Sequence, residues 1–547
     1  MNNLIEITVK PRSSNFVKMG DLLVHPFQKE ALNVINNLLK SEEFGILTID
    51  APVGAGKSFL MRYLAQMLRG YPLILTYPTK ILLETQVSSL SNELRNAGFD
   101  VATNWQEFGI NKINIFKYST DEIVKLSLDT PNVLNMARGK IIERGLTRSL
   151  SNVRFPVMVT TPDVLHMLYN VSAYRGYSKR LVDYLTKAIV IFDEFHTYAN
   201  LENFYLLIEK LSNYVKFVIL LSATPFFEER GLKSIEASYD IYNISFDECE
   251  RRYTSEAVGR REFNKQLQVY VHEVSSFSES AEHFEPILQS LQDPGPHVVI
   301  YNSIFRLRHH TYLIKKYGGV EWSGMVKEDY TNQKIIFGTS SIEVGVHLPF
   351  KTLITEVDNW ISAIQRIGRV GRFNPGKVHL ITKNHDLLVS LENGSCYERS
   401  EFEEILKENL PEPKQDWVSG DLFRGESFDF IIYDKTLGAV YTYNESIFSM
   451  YRIDDASSIN DESDFDELLD DLKYSAGLHG EMIRYLRVRD HVRPFFGILK
   501  GRLRKTYTSI DYQTDKSDCV VRITFTKPQL LSFSRSCLLY TSPSPRD

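Results

Sequence analysis

The chain has 547 residues, room for roughly three to four domains at about 150 residues each, and its 43% hydrophobic, 24% charged and 12% aromatic content is ordinary for a soluble globular protein with large cores. The formal net charge of −6 excludes a global basic field, so any site for a polyanion has to be a local groove. The cysteines, Cys249, Cys396, Cys519 and Cys537, form no C-x-x-C pair, which argues against a zinc ribbon or a disulfide scaffold and for a reducing cytoplasm.

The opening MNNLIEITVKPRSS has no continuous apolar core, so no signal peptide is expected. No stretch of about 20 uninterrupted apolar residues is present, so no membrane contact is expected. Residues 1–20 read as a strand-like extension, and Val24 to Leu39 has helical apolar spacing. Phe44 to Asp50 is a buried strand, followed by a glycine-rich turn and a helix from Ser58 to Leu68. Leu73–Tyr77 is the next strand and Lys80–Ala97 the next helix. The alternation continues through strands at Val157–Thr160, Ala188–Phe192 and Phe217–Leu221, which implies a parallel sheet.

A second alternation begins at Val298–Tyr301. It runs through a helix over Ile304–Tyr317, strands at Lys334–Phe337 and Thr352–Thr355, a helix near Ser362–Ile367 and a strand at Lys377–Ile381. The expected fold is therefore α/β, with two tandem lobes. The boundary falls between about 230 and 290, which gives lobe one as 21–230, lobe two as 231–390 and an accessory region over 391–535. In that region an acid-rich stretch at 454–471 reads as a solvated linker or exposed helix face. The basic stretch Arg484 to Lys505, interleaved with Tyr485, Phe495 and Phe496, suits a single-strand track or a solvated helix with snorkelling arginines. The last residues, 536–547, look foreign to the fold and resemble translated sequencing-adapter read-through. On that reading the natural chain continues beyond residue 535.

Ala51-Pro-Val-Gly-Ala-Gly-Lys-Ser58 lies between a strand and a helix, the setting of a Walker A loop, with Ala51 where the general pattern has its first glycine. Gly54, Ala55 and Gly56 bring backbone N–H groups onto phosphate oxygens, the helix N-terminus at Lys57–Phe59 adds a favourable dipole, Lys57 reaches the β- and γ-phosphates, and Ser58 ligates magnesium. The apolar run Ile189–Phe192 stops at Asp193-Glu194, which fits Walker B. Asp193 would hold magnesium and Glu194 would polarise the attacking water. ATP and Mg2+ are thus the expected cofactors of a P-loop NTPase.

Asp193-Glu194-Phe195-His196 resembles the DExH box of superfamily 2 helicases, and further motifs of that family follow in order, which implies two RecA-like lobes. Gln28 stands where the Q motif reads adenine. Pro78, Thr79 and Lys80 resemble motif Ia, and Thr161 lies in a Thr-Thr-Pro-Asp motif. Ser222-Ala-Thr224 resembles motif III, which with His196 would couple the ATP site to the strand site. Asn302 and Ser303 resemble motif IV, Thr339 and Gly345 belong to a motif V, and Gln365-Arg-Ile-Gly-Arg-Val-Gly-Arg372 resembles motif VI. The resemblance implies nucleic-acid contacts at Pro78, Thr79, Lys80, Thr161, Asn302, Ser303 and Thr339, mostly to the backbone. It places Gln365, Arg369 and Arg372 in catalysis. The two arginines, three apart, would lie on one helical face and act as arginine fingers. One departure stands out: Gly345-Val-His347 carries His347 where the family commonly has Asp, and a neutral imidazole cannot accept from two hydroxyls.

The motif order and the DEFH spelling look most like the CRISPR-associated helicase of type I systems, in the stand-alone form of subtype I-D. Too few residues precede Gln28 for an N-terminal nuclease, and His385-Asp386 reads as a surface turn. The resemblance implies a monomeric motor recruited by a CRISPR surveillance complex to the displaced single-stranded DNA of an R-loop, with cutting done by a separate nuclease subunit. A DExH RNA-remodelling ATPase, a general DNA-repair helicase and a scaffold subunit with a vestigial ATP switch remain alternatives at this stage.

Overall fold

A computed structural model describes residues 4–67, 71–104, 107–119, 156–170, 185–199, 202–227, 229–302, 306–307, 310–323, 329–330, 332–340, 342–343 and 348–412, with five short strands beyond them. The chain opens with strands β1 (Leu4–Val9), β2 (Ser13–Met19) and β3 (Leu22–Val24). The helix Pro26–Lys40 follows, with proline at its first turn and Phe27, Ala31, Leu32, Ile35 and Leu38 buried at helical spacing.

Next come β4 (Gly45–Asp50), the helix Lys57–Met67, β5 (Leu73–Thr76), the helix Lys80–Asn96, β6 (Val101–Ala102), β7 (Ile113–Lys117) and β8 (Pro156–Thr160). After them lie the helix Pro162–Asn170, β9 (Ile189–Asp193), the helix Glu202–Leu211, β10 (Phe217–Ser222), the helix Glu229–Glu236 and β11 (Asp240–Ser245). Among the described residues these strands form one sheet in the order β11-β4-β10-β9-β5-β8-β7-β6. Its recorded pairings are all parallel. The central strands are buried at every position except Asp50 at the end of β4, which is why they read as continuous apolar runs. Register aligns Asp50 with Ser222 and Asp193 with Leu221, so the loops that bear chemistry leave from one carboxyl edge.

The first compact unit takes in residues 13–261, so the lobe boundary lies at 261 rather than at 231. The reason is β11, which pairs with β4 through Ile241 and Ile46. As an edge strand it carries alternating polar residues and lacks the apolar run of its neighbours. A small sheet in this unit sets β12 (Gly259–Glu262) beside β2 and β3.

The second unit combines residues 1–12 with the chain from 262 onward. It contains β13 (Leu267–Glu273), the helix Ser280–Ser290, β14 (His297–Ile300), the helix Thr311–Tyr317, β15 (Val320–Trp322) and β16 (Ile335–Gly338). It continues through β17 (Thr352–Val357), the helix Trp360–Ile367, β18 (Gly376–Thr382), the short helix His385–Val389, β19 (Cys396–Tyr397) and the helix Arg399–Asn409. The sheet order is β15-β16-β14-β17-β18-β13-β1-β19. The segment read as an N-terminal extension, 1–20, is thus divided: residues 1–12 join the second unit, and β2 belongs to the first. β1 pairs antiparallel with β13, with Ile7 opposite Val269. Ile7 and Val9 are buried. Both units are α/β sheets with helical crossovers, the two RecA-like lobes expected, followed by a C-terminal region. There β20 (Phe430–Asp434), β21 (Ala439–Asn444) and β22 (Ile447–Arg452) form a meander, and β23 (Asp511–Asp515) pairs with β24 (Val520–Thr524). The acid-rich stretch 454–471, the basic stretch Arg484 to Lys505 and the segment 536–547 lie outside the described residues, apart from β23 and β24 beyond them.

Candidate functional site

In lobe one the loop after β4 turns back on itself through Gly54 at φ +88° and Gly56 at φ +93°, conformations that side chains resist. A Cβ on Gly56 would also come within 3.0 Å of the Gln28 amide nitrogen. Ala51 is buried, and its N–H donates to the carbonyl of Ser222, 3.1 Å away. That contact ties the start of the phosphate loop to the end of β10. The Lys57 ammonium donates to the Ala51 carbonyl at 3.0 Å and lies 3.9 Å from the Glu194 carboxylate. Ser58 is exposed at the helix start and Ala55 is buried beneath the loop. Phe59 stacks on Tyr63, with the Arg62 guanidinium 5.0 Å from its ring.

Asp193 ends β9 as a buried carboxyl. Burial pushes its pKa up, the charge of Glu194 adds to the rise, and Lys57 opposes it. Glu194 sits in the left-handed region at φ +51°, a backbone cost on the order of 1–3 kcal/mol that clusters at functional sites. Its N–H donates to Asp193 Oδ1 at 3.2 Å. The donor set fits a divalent cation: a buried carboxyl raised by desolvation and a neighbouring anion is what such an ion relieves. The exposed Ser58 hydroxyl makes no hydrogen bond among the described residues that would compete.

His196 pairs through Nδ1 with Ser222 Oγ at 2.9 Å, and Ser222 Oγ accepts from the Thr224 N–H at 3.0 Å. His196 is buried, which lowers its pKa to about 4. The three residues read as coupling groups are therefore in direct contact, and Ser222 also reaches the phosphate loop through Ala51. Gln28 is 3% exposed. Its Oε1 accepts from the His25 N–H at 2.9 Å, and its Nε2 donates to the Gly56 carbonyl at 3.0 Å. Behind it the His25 Nδ1 contacts Ser14 Oγ at 2.7 Å, and Ser14 also bonds Glu250. Sequence reasoning missed this support because Ser14 and Glu250 are 236 positions apart.

The other lobe-one residues lie at the same carboxyl edge. Thr79 caps the helix that follows β5 and accepts from the Leu82 N–H at 3.2 Å, and Pro78 precedes it half-buried. Lys80 begins that helix. Thr161 is 9% exposed, and its carbonyl accepts from Leu165 at 3.0 Å at the start of the next helix.

In lobe two, Asn302 and Thr339 follow β14 and β16 on adjacent strands, and the Tyr301 N–H donates to the Gly338 carbonyl at 2.9 Å. Ser303, Gly345 and His347 lie outside the described residues. Gln365 is buried in the helix Trp360–Ile367. That helix ends before the arginine pair, so Arg369 and Arg372 do not share a helical face. Val370 bridges to Phe350, and Gly371 takes φ +73°. The chain turns there, and Arg372 Nε donates back to the Gly368 carbonyl at 2.9 Å. Both arginines are half-buried at the end of this turn. His385 begins a short helix rather than a turn, and its Nδ1 is 2.8 Å from Glu273.

Two α/β lobes and a phosphate loop facing an acidic pair define the class of a two-lobed P-loop NTPase. Comparison with known proteins narrows this. Residues 21–227 match the family described as type III restriction enzyme, res subunit, and residues 264–375 match the family described as CRISPR-associated nuclease/helicase Cas3, C-terminal. The two matches fall in order on the two lobes. No curated protein matches the chain. Among solved structures, Mycobacterium smegmatis helicase Lhr bound to ssDNA and AMP-PNP is similar at 17% identity and a TM-score of 0.42, over 71% of this chain and 49% of that one. The chain therefore spans about half the length of that helicase. Among the described residues no helix is long and apolar enough to cross a membrane.

Proposed function

We propose that the chain is an ATP-driven translocase on single-stranded DNA, the motor that a type I-D CRISPR surveillance complex recruits to the displaced strand of an R-loop. A nuclease in another subunit would do the cutting. The observation that carries the ATPase reading is the convergence on one carboxyl edge of Lys57, 3.9 Å from Glu194, with the buried Asp193 beside it. The backbone N–H groups of Gly54 and Gly56 bind phosphate oxygens, while that of Ala55 closes the loop onto the Pro52 carbonyl at 3.1 Å; Lys57 neutralises the phosphates, and Gln28 contributes to the nucleotide pocket from behind Gly56. Glu194 orients and polarises the attacking water. Arg369, Arg372 and Gln365 supply the charge and hydrogen bonds that the transferred phosphoryl group needs, with Gly345 near the nucleotide. Magnesium, held by Ser58 and Asp193, would offset phosphate charge.

Support for the strand site comes from hydroxyl and amide groups at the carboxyl edges: Thr79 and Thr161 in one lobe, Asn302 and Thr339 in the other. Pro78, Lys80 and Ser303 complete the set. The Cas3-like match over lobe two favours the CRISPR setting over a general repair helicase. ATP hydrolysis by the purified chain, alone, with single-stranded DNA and with matched RNA, tests the reading. Stimulation by DNA alone is expected. Equal or stronger stimulation by RNA would assign an RNA-remodelling ATPase, and no hydrolysis in any condition would assign a scaffold with a vestigial switch.

A further inference from the structure

Lobe two buries a charge network that the motif reading did not anticipate. Arg366 is 2% exposed. Its Nε donates to Glu343 at 2.6 Å. Its Nη1 donates to Asn302 Oδ1 at 2.6 Å, to Thr355 Oγ1 at 3.0 Å and to the Glu356 carbonyl at 2.5 Å. The Glu356 carboxylate is held by Arg306 Nε at 2.9 Å and Nη2 at 2.8 Å, and it accepts from the Asn302 N–H at 2.8 Å. Two guanidinium groups thus face two carboxylates, and the cluster is neutral inside the lobe.

The consequence falls on Asn302. A guanidinium can only donate, so Asn302 has to turn its oxygen toward Arg366 and leave its nitrogen free. That Nδ2 is buried and finds no hydrogen-bond partner among the described residues, while Asn302 as a whole is 5% exposed. A buried donor without an acceptor is costly and rare in a native fold unless a ligand supplies the acceptor. Asn302 sits at the carboxyl edge beside Thr339, where ligands of open α/β sheets bind. Arg366 also carries Arg369 on its own carbonyl, through a backbone bond of 2.9 Å, and Glu343 feels the charge of both arginines.

We infer that Arg366 is a positioning residue: it locks the Asn302 carboxamide so that Nδ2 donates to an oxygen of the bound strand, and it links that grip to the turn bearing Arg369. This rests on the strand-translocase reading above. The discriminating variant is Asn302→Asp. Aspartate keeps an oxygen toward Arg366, so that hydrogen bond is retained, but it adds a charge to the buried cluster and places an anionic acceptor where the donor stood.

The experiment measures ATP turnover by the full chain against the concentration of an oligo(dT), with thermal unfolding in parallel. Asn302→Asp is expected to raise the half-saturating oligo(dT) concentration about tenfold or more, with a smaller effect on turnover at saturation, and the unfolding midpoint, lowered by the added buried charge, is expected to stay above the assay temperature. Arg366→Lys, which can keep Glu343 but cannot hold Asn302 and Thr355 together, is expected to raise the half-saturating concentration too. An unchanged half-saturating concentration for Asn302→Asp, in a chain that oligo(dT) stimulates, overturns the inference alone. No stimulation of the unsubstituted chain overturns the translocase reading along with it, and the two failures are told apart by that control.

Discussion

Lys57 has few partners to choose from in the described structure, the Ala51 carbonyl and the more distant Glu194 carboxylate, so its charge is available to a phosphate that displaces the carbonyl. Lys57→Ala is expected to lower ATP turnover by about 10²- to 10³-fold, the scale of removing one oriented electrostatic group. Turnover near that of the unsubstituted chain, followed by phosphate release, would sink the assignment of this loop. Arg372 differs in kind. Its Nε already caps the Gly368 carbonyl, so the side chain is held at the end of the turn. Arg372→Ala is expected to retain binding of a fluorescent ATP analogue while hydrolysis falls by about 10³-fold or more. Loss of binding with hydrolysis per bound nucleotide intact would refute the finger role. Residues such as these were legible because each motif is contiguous in the chain. Arg366 was not, because its partners Glu343 and Asn302 lie 23 and 64 positions away and only the folded sheet brings them together.

At the scale of the element, the strands were readable where both faces are buried, as in β4, β9 and β10, and unreadable where they lie at an edge or pair over long range. β11 alternates polar and apolar residues at the rim of its sheet, and β1 finds its partner β13 only after the whole of residues 13–261. The neighbouring pair β13–β18 yields a test. His272 and His379 project from these strands with ring nitrogens 3.2 Å apart, and Tyr270 stacks on His379 at 4.7 Å. Burial, and then the neighbouring His283, lowers His272 to about 4. Burial, with His272 and Lys377 adding, lowers His379 to about 3. Both rings are therefore neutral in the fold. An unfolded chain takes up their protons below the ordinary value of about 6.5, so stability is present above it and is lost as pH falls from there toward about 4. Each ring contributes a slope of up to about 1.4 kcal/mol per pH unit, less whatever solvent reaches these half-buried side chains. His272→Gln should make the unfolding midpoint less sensitive to pH over that window. Identical pH dependence in both proteins would show that the imidazole pair carries no such cost.

For the whole molecule, a net charge of −6 means that long-range attraction does not gather DNA, and contact has to do so. The residues proposed to touch the strand are almost all neutral: Pro78, Thr79, Thr161, Asn302, Ser303 and Thr339, with Lys80 the lone cation of the set. Hydroxyl, amide and backbone donors grip phosphates without releasing counterions, so they add affinity with little salt dependence. Each phosphate neutralised by a cation steepens the plot of log affinity against log salt by about 0.7 on a single strand. With Lys80 alone the slope should lie near −0.7, and at most about −1.5 with help from one more cation. Fluorescence anisotropy of a labelled oligo(dT) across a salt series measures it. A slope steeper than about −3 would mean that several cations share the strand, which transfers the principal grip from the lobe edges to the basic, aromatic-interleaved stretch between Arg484 and Lys505. The two outcomes separate a motor whose hold on DNA is built into the same loops that sense ATP from one whose hold lies in its C-terminal region. Only the first lets hydrolysis change grip strength without a further moving part.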